Sequence, residues 1–216
     1  MTLPVIIVGA GGHAAVVADA LLAAGAAVLG FTDTDPARHG RVLCGLPVLG
    51  DDAVLARYER AGLRLANGLG GLGGETPPLR ARVQERLEAQ GWQFCGVRHP
   101  GAIVSPFARL GAAVQLMAGC VVQPGAELGA GCIVNTGAIV EHDACIGAWS
   151  HLAPRAVVCG QVRIGAACHV GAGATVRQDV RLGAATLVGA GAVVVKNFSG
   201  GGVLLGTPAR PWEQAK

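Results

Sequence analysis

Aromatic residues and charges are both scarce in this chain of 216 residues. Phe, Trp and Tyr make up 4% of the sequence and charged residues 14%, whereas 51% is hydrophobic. So few rings favour a core that is too narrow for them. The net charge is only +3 and no run of basic residues occurs. The sequence therefore predicts no nucleic-acid partner.

Long apolar runs are missing as well. No stretch of about 18 consecutive apolar residues occurs, so the sequence predicts no membrane-spanning helix and no membrane partner. The short apolar run Val5–Val8 lacks a basic flank, so it does not indicate a signal peptide. We therefore expect a cytoplasmic protein. The seven cysteines form no CxxC pair, and we expect reduced thiols, with disulfides or a zinc site as the alternatives.

Glycine is abundant, with 35 residues, and fourteen of them belong to a repeat of six residues that runs from Val104 to Ser199. Every sixth position is a branched aliphatic, and the position four residues later is small in all but the last repeat, where it is Phe198. The aliphatic positions are Val104, Leu110, Leu116, Val122, Leu128, Val134, Val140, Ile146, Leu152, Val158, Ile164, Val170, Val176, Leu182, Val188 and Val194. A period of six is typical of a parallel β-helix built from hexapeptides.

In a left-handed β-helix three hexads make one coil, so equivalent residues of successive coils stack at about 4.8 Å. The sixteen hexads predict about five coils of a narrow prism. Such a prism has no internal pocket, so any site must lie on its outside, in grooves between packed prisms. Polar side chains away from the two inward positions are therefore the candidates for chemistry.

Residues 1–98 follow a different pattern, in which strands and helices alternate. Buried strands are predicted at Val5–Val8, 27–31, 63–66 and 93–97, and helices from the first glycine turn to about Ala24, from Asp51 to about Ala61, and from Pro77 to Gly91. This alternation predicts a small parallel sheet of Rossmann-like topology. The fold class is thus α/β followed by β: a Rossmann-like domain over 1–98 and a left-handed β-helix with its tail over 99–216.

The first strand leads into Gly9-Ala-Gly11-Gly12-His13-Ala14, which has the glycine spacing of a dinucleotide-binding turn. The backbone N–H groups at the start of the following helix favour a phosphate. Asp33 or Asp35, after the second strand, is the candidate for a ribose hydroxyl. A domain of fewer than 100 residues is small for NAD, so we expect the nucleotide part of another ligand. A turn whose glycines serve packing alone is the alternative. His13 either caps the helix start or faces solvent, or it hydrogen-bonds a phosphate or sugar hydroxyl of the ligand.

Three histidines of the repeat are candidates for catalysis or binding. His142 lies between Glu141 and Asp143, off both inward positions, and a carboxylate beside an imidazole suits a general base. His151 and His169 are three hexads apart and should stack on neighbouring coils. β-Helical carbonic anhydrases hold zinc between three histidines. This chain lacks their short histidine pair, so we expect no metal.

Five segments resemble the NeuD/PglD-type sugar acyltransferases, and the resemblance covers nearly the whole chain. These are Gly9-Ala-Gly-Gly-His13, His99-Pro-Gly-Ala-Ile-Val-Ser105, Asn135-Thr-Gly-Ala-Ile-Val-Glu-His-Asp143, Ser150-His-Leu-Ala-Pro154 and Gly206-Thr-Pro-Ala-Arg210. The resemblance implies a homotrimer with sites between subunits that transfers acetyl from acetyl-CoA. It implies as acceptor the amino group of a UDP- or GDP-linked 4-amino-6-deoxy sugar, in surface polysaccharide biosynthesis. O-acetylation of a sialic acid type sugar and a non-enzymatic nucleotide-binding scaffold are the alternatives.

The resemblance also implies roles for individual residues. His142 would be the general base and Asp143 its orienting carboxylate, while Asn135, His151 and the Gly160 N–H would bind the acceptor and the thioester. Gly11, Gly12, His13, Asp33 and Asp35 would hold the nucleotide sugar. His169, Gly189, Pro208 and Arg210 would contact CoA. The glycine run Gly68–Gly74 departs from the pattern of the family, which leaves the choice of nucleotide and sugar open.

Overall fold

The chain forms two compact units. The computed structural model describes residues 3–71 and 76–212. The first unit holds residues 3–70 and 79–100, and the second holds residues 71, 76–78 and 101–212. The sequence placed the boundary after residue 98. Residues 72–74 of the glycine run lie outside the described residues.

The first unit alternates strands and helices as the sequence predicts. Its elements are β1 (Val5–Val8), α1 (Gly12–Ala23), β2 (Val28–Thr32), β3 (Val42–Leu43), β4 (Leu46–Gly50), β5 (Arg64–Asn67), α2 (Leu79–Ala89) and β6 (Val97–Arg98). Three short 3₁₀ helices at Pro36–Arg38, Asp52–Arg57 and Arg60–Gly62 connect them. The core of the unit contains Ile6, Val8, Leu55, Leu63, Leu65, Leu87 and Trp92.

The sheet of this unit has the order β3-β4-β2-β1-β5. Strands β4, β2, β1 and β5 are parallel, which confirms the Rossmann-like topology. Two sequence predictions were wrong in detail, and one feature was missed. The antiparallel hairpin of β3 and β4 was not predicted, the helix expected after Asp51 is two 3₁₀ segments, and the strand expected at 93–97 contributes only the bridge between Phe94 and Leu65 and the short β6.

The second unit is the predicted left-handed parallel β-helix. Its sixteen two-residue strands, β7 to β22, form three faces, and each strand pairs in parallel with the equivalent strand of the next coil. The first face consists of Ile103–Val104 (β7), Val121–Val122 (β10), Ile139–Val140 (β13), Val157–Val158 (β16), Thr175–Val176 (β19) and Val193–Val194 (β22). The second face consists of Arg109–Leu110 (β8), Glu127–Leu128 (β11), Cys145–Ile146 (β14), Arg163–Ile164 (β17) and Arg181–Leu182 (β20).

The third face continues into the C-terminal hairpin. It consists of Gln115–Leu116 (β9), Ile133–Val134 (β12), His151–Leu152 (β15), His169–Val170 (β18) and Leu187–Val188 (β21), followed by Val203–Gly206 (β23) and the antiparallel Ala209–Pro211 (β24). The aliphatic position of every hexad is buried except in the first two strands, at Val104 and Leu110. Most of the small positions are buried as well, and Cys120, Cys132 and Cys168 fill three of them as free thiols. This confirms the sequence interpretation of the repeat.

The turns between faces share one backbone feature. Every sixth residue from Ala113 to Gly191 has a positive φ, between +53° and +73°, the left-handed region that side chains other than glycine rarely adopt. Only six of these positions are glycine. Asp143, Trp149, Arg155, Gln161 and Asp179 are among the others, so the corners of this β-helix tolerate side chains in the left-handed conformation.

In the part of the chain that the structure describes, no helix is long and apolar enough to cross a membrane.

Candidate active site

His142 and Asp143 lie together at the turn between β13 and β14, on the edge where the first face meets the second. The Nδ1 of His142 and the Oδ2 of Asp143 are 2.9 Å apart, and both side chains are more than half exposed. Because an ionised carboxylate only accepts hydrogen bonds, Nδ1 carries the hydrogen and Nε2 presents its lone pair. The hydrogen bond to Asp143 raises the pKa of His142, and the charges of Asp143 and Glu141 add to the effect. We call this pair the His142–Asp143 dyad.

Gly160 lies one coil beyond His142, directly against its ring. A Cβ atom built on Gly160 would lie 2.6 Å from Nε2 and 2.8 Å from Cε1 of His142. The next residue ties the two coils together, since the Gln161 N–H donates to the His142 carbonyl at 3.0 Å. Among residues 3–71 and 76–212, no acceptor is bonded to the Gly160 N–H. A backbone donor and a basic nitrogen thus lie side by side, as acyl transfer requires.

Asn135 and His151 form a second polar pair, at the edge where the third face meets the first. The Nδ2 of Asn135 lies 3.1 Å from the Nε2 of His151, and the His151 Nδ1 lies 3.0 Å from the carbonyl of Gly71. A carbonyl only accepts, so Nδ1 is the donor and Nε2 accepts from Asn135. Both ring nitrogens are therefore engaged in a neutral imidazole. His151 suits a fixed contact to a ligand, whereas His142 keeps the nitrogen that a general base needs.

The two pairs occupy different edges of the prism. Asn135 follows β12 of the third face and His142 follows β13 of the first face, so the whole width of the first face separates them. The sequence predicted that both contribute to one site. Within one folded chain, Asn135 and His142 therefore lie on two separate edges of the β-helix.

The predicted stacking of His151 on His169 is confirmed. Their backbones are paired between β15 and β18, and the rings meet edge to face with centroids 5.0 Å apart. No group of three or more His, Cys, Asp or Glu side chains that could hold a metal ion occurs among residues 3–71 and 76–212.

In the first unit, the glycine turn opens α1 as the sequence predicts. Gly11 is the N-cap residue, and no side-chain hydrogen bond is made by the N-cap residue. The role of His13 stays a prediction. A Cβ atom built on Gly12 would meet nothing within 4 Å, so no neighbouring side chain crowds this residue at the start of the helix. The first N–H groups of a helix favour an anion. The side chain of His13 packs beside Gly70, where an added Cβ would lie 3.2 Å from the His13 Cβ.

Asp33 and Asp35 shape this turn from the end of β2. The Oδ2 of Asp33 accepts from the Ala10 N–H at 2.8 Å, and its Oδ1 accepts from the Asp35 N–H at 2.9 Å. The Oδ1 of Asp35 caps the 3₁₀ helix Pro36–Arg38. The sequence analysis missed Arg38, which donates to the Ala10 carbonyl at 2.9 Å and lies 3.4 Å from both carboxylates. This guanidinium brings a positive charge to the mouth of the turn.

A cavity of about 140 Å³ opens at the carboxyl ends of β1 and β2, the edge where parallel sheets bind ligands. It is lined by Val8, Gly9, Asp33, Thr34, Asp52, Leu69, Leu79, Val83 and Arg86. Asp52 is held by Thr32 Oγ1 at 2.7 Å and by Arg86 at 2.5 Å. Asp35 does not line this cavity, whereas Asp52, Leu79 and Arg86 do and were not predicted. A lining that combines apolar side chains with a few polar and charged groups is typical of small-molecule sites.

The residues expected to contact CoA differ in accessibility. Pro208 and Arg210 are exposed on the C-terminal hairpin. His169 is buried, with 7% of its surface exposed. Gly189 is covered by Leu205, and its N–H donates to the Leu204 carbonyl at 2.9 Å. The roles of all four residues toward CoA stay predictions.

Comparison with known proteins identified one matching family model and several similar solved structures. Residues 4–87 match the family model of the PglD N-terminal domain. The chain matches none of the curated proteins with which it was compared. WeeI from Acinetobacter baumannii, at 23% identity and a TM-score of 0.86 over 98% of this chain and 100% of that one, shares the fold.

Two similar solved structures are considerably closer in sequence. The acetyltransferase domain of PglB from Neisseria gonorrhoeae, in complex with acetyl coenzyme A, is 34% identical over 98% of this chain and 100% of that one, with a TM-score of 0.89. A histidine-to-asparagine mutant of perosamine N-acetyltransferase from Caulobacter crescentus, in complex with CoA and GDP-perosamine, is 37% identical over 99% and 100%, with a TM-score of 0.89. The chain therefore belongs to the NeuD/PglD-type family of acetyl-CoA-dependent sugar acetyltransferases.

Proposed function

We propose that this enzyme transfers acetyl from acetyl-CoA to the 4-amino group of a UDP- or GDP-linked 6-deoxy sugar, with His142 as general base. The observation that carries the proposal is the His142–Asp143 dyad, whose Nε2 lies open beside the N–H of Gly160. The relatives that bind acetyl coenzyme A, or CoA with GDP-perosamine, support the choice of both substrates.

The reaction needs one base and one oxyanion donor. The amine nitrogen attacks the thioester carbonyl carbon and gives its proton to Nε2 of His142. The negative charge that develops on the carbonyl oxygen accepts a hydrogen bond from Gly160, a contact that is worth about 3 kcal/mol in comparable sites. When the C–S bond breaks, the sulfur of CoA takes the proton back from His142. No covalent enzyme intermediate is required.

The first unit would hold the nucleotide part of the acceptor. Gly11, Gly12 and the start of α1 supply N–H groups for the diphosphate, and Arg38 supplies a positive charge beside them. The cavity beside Asp33 would take the base or the ribose. His13 would contact the diphosphate from the first turn of the helix.

We also propose that the working enzyme is a homotrimer, because the first face of the β-helix carries an apolar row on its outside. The outward residues of this row are Ile103, Val121, Ile139, Val157, Thr175 and Val193, none of them charged and none fully buried. The outward row of the second face is instead Arg109, Glu127, Cys145, Arg163 and Arg181. An uncharged, β-branched surface of this kind is typical of an interface.

Packing three first faces around a common axis would complete the site. The edges of the first face carry Asn135 on one side and the dyad on the other, so cyclic symmetry brings the His142 edge of one protomer to the Asn135 edge of the next. Mixing two inactive variants, Asn135→Ala and His142→Ala, tests this arrangement. Mixed trimers should contain some intact sites and regain activity. Mixtures that stay inactive after co-refolding would contradict a site shared between protomers.

A thiol-release assay tests the proposed activity. Wild-type enzyme with acetyl-CoA should release CoA thiol in the presence of a UDP- or GDP-linked 4-amino sugar, and the product should gain one acetyl group by mass spectrometry. The matched hydroxyl sugar separates N-acetylation from O-acetylation, since only the amine should react. If the hydroxyl sugar is the better substrate, the enzyme is an O-acetyltransferase. No thiol release with any acceptor would favour a nucleotide-binding scaffold.

The cytoplasmic location predicted from the sequence belongs to this proposal, because activated nucleotide sugars and acetyl-CoA are cytoplasmic metabolites.

A further inference from the structure

The His142–Asp143 dyad lies between two glycines that are placed by the coil repeat. Gly125 lies one coil before Asp143 and Gly160 lies one coil after His142, so each glycine stacks on one member of the dyad. The sequence analysis considered Gly160 only as a hydrogen-bond donor and did not single out Gly125.

Gly125 makes room for the carboxylate of Asp143. A Cβ atom built on Gly125 would overlap Oδ1 of Asp143 and would lie 3.3 Å from Cγ. Real Cβ atoms essentially never approach another heavy atom to within 3.0 Å, so the carboxylate would have to move. The carboxylate therefore folds down over the backbone of the preceding coil. In this position its other oxygen, Oδ2, reaches Nδ1 of His142 at 2.9 Å.

Gly160 makes room for the imidazole on the opposite side. Its added Cβ would lie 2.6 Å from Nε2, the nitrogen that the reaction uses. Gly160 does not have a φ in the left-handed region, so an alanine there meets no backbone strain. The three atoms nearest to this added Cβ all belong to the ring of His142, which is more than half exposed and would be pushed aside.

We propose that Gly125 and Gly160 are positioning residues that together hold the dyad in its hydrogen-bonded geometry. The inference rests on the proposed function of His142 as base, because it concerns how the imidazole of that base is oriented. Both side chains of the dyad are more than half exposed, so packing alone does not fix them. The space left by the two glycines selects the rotamers in which the imidazole and the carboxylate meet.

Gly125→Ala and Gly160→Ala should each lower kcat by about 100-fold, as expected for a misplacement of about 1 Å, with the KM for both substrates changed less than threefold. Gly119→Ala is the matched control for Gly125→Ala. Gly119 also has a left-handed φ, +67° compared with +73° at Gly125, but a Cβ atom added to Gly119 would meet nothing within 4 Å. Gly119→Ala should keep wild-type kcat, which separates the collision with Asp143 from the strain of a left-handed alanine.

A double-mutant comparison shows whether Gly125 acts through Asp143. In an Asp143→Ala background, Gly125→Ala should cause no further loss of kcat, because no carboxylate remains to be displaced. An equal loss in both backgrounds would mean that Gly125 acts through the fold and would overturn the proposal. Wild-type kcat in both Gly125→Ala and Gly160→Ala would also overturn the proposal.

The pKa of His142 is a readout that a purely structural effect of the glycine substitutions would not change. In Gly125→Ala the pKa of His142, followed by NMR titration of its ring protons, should fall toward that of Asp143→Ala. The other titratable or charged groups near the dyad are Glu141, Cys145, Cys159, Arg163, Asp179 and Arg181, and they are the same in every variant. An unchanged His142 pKa would overturn the inference. The NMR result stands even if wild-type enzyme acetylates none of the sugars, so this failure is distinct from failure of the proposed function.

Discussion

Ser150 offers a direct test of how the interior of the β-helix is stabilised. It occupies one of the small inward positions and is 1% exposed. Its hydroxyl donates to the Gly165 carbonyl at 3.0 Å and accepts from the Cys168 N–H at 3.1 Å. Cys132 and Cys168, one coil before and one coil after, donate in the same way to Gly147 and Gly183, at 3.1 and 3.2 Å.

Ser150→Ala removes both hydrogen bonds and leaves the partly buried Gly165 carbonyl and the buried Cys168 N–H without those partners. Each such group costs about 1–3 kcal/mol, so we expect a loss of about 2–4 kcal/mol in the free energy of unfolding. For a chain of this size 1 kcal/mol shifts Tm by about 2–4 °C, which corresponds to a decrease of roughly 5–15 °C. Calorimetry or circular dichroism at one fixed protein concentration measures it, since the proposed assembly would make Tm depend on concentration.

Ser150→Cys is the matched control. The same inward position holds cysteine in both neighbouring coils, so a thiol fits there and keeps a donor toward Gly165. We expect this variant to lose less than half as much stability as Ser150→Ala. A Ser150→Ala protein within about 0.5 kcal/mol of wild type, the range of neutral surface substitutions, would refute the reasoning. A Ser150→Cys protein as unstable as Ser150→Ala would refute it as well.

Further predictions concern the site and the assembly. In Asp143→Asn the pKa of His142 should fall, because the carboxylate that raises it is gone. The acidic limb of the pH profile of kcat/KM should then move to lower pH. The plateau of the profile should decrease about tenfold or more, because a weaker base transfers protons less effectively. An acidic limb that stays in place would contradict the role of Asp143 in the dyad. Arg38→Ala should raise the KM for the nucleotide sugar about tenfold without changing the KM for acetyl-CoA, and Arg41→Ala, an exposed neighbour, is its control in steady-state kinetics. Ile139→Lys should convert the trimer to monomers in analytical ultracentrifugation and abolish turnover, whereas Arg155→Lys, at an exposed corner, should change neither.

The β-helix could be predicted almost completely from the sequence, because its repeat assigns every residue to a face, a corner or the interior. The same repeat contained the signal for Gly125, which was overlooked. Counting three hexads back from Asp143 identifies it, and the structure shows why a glycine is needed there. The repeat also separates Asn135 from His142, although their closeness in sequence suggested one cluster.

The first unit was harder to predict because short elements carry little pattern. The hairpin of β3 and β4 turns at Cys44-Gly45, which both have a positive φ. This is the turn that Asn-Gly or Asp-Gly usually indicates, so a cysteine in place of Asn hid it. The sequence places Leu79, Val83 and Leu87 on one face of α2, yet Leu79 is 51% exposed whereas Leu87 is buried. With Val83, Leu79 lines the cavity beside Asp33, so an apolar position that seemed to belong to the core belongs to the candidate nucleotide site.

The central claim is that His142 is the general base of acetyl transfer. The most direct measurement is the kcat of His142→Asn relative to wild type, with acetyl-CoA and the best nucleotide-linked amino sugar both saturating. We predict a decrease of about 10²–10⁴-fold with Tm changed little, because the imidazole is more than half exposed. Turnover within about threefold of wild type by the folded variant would contradict the account.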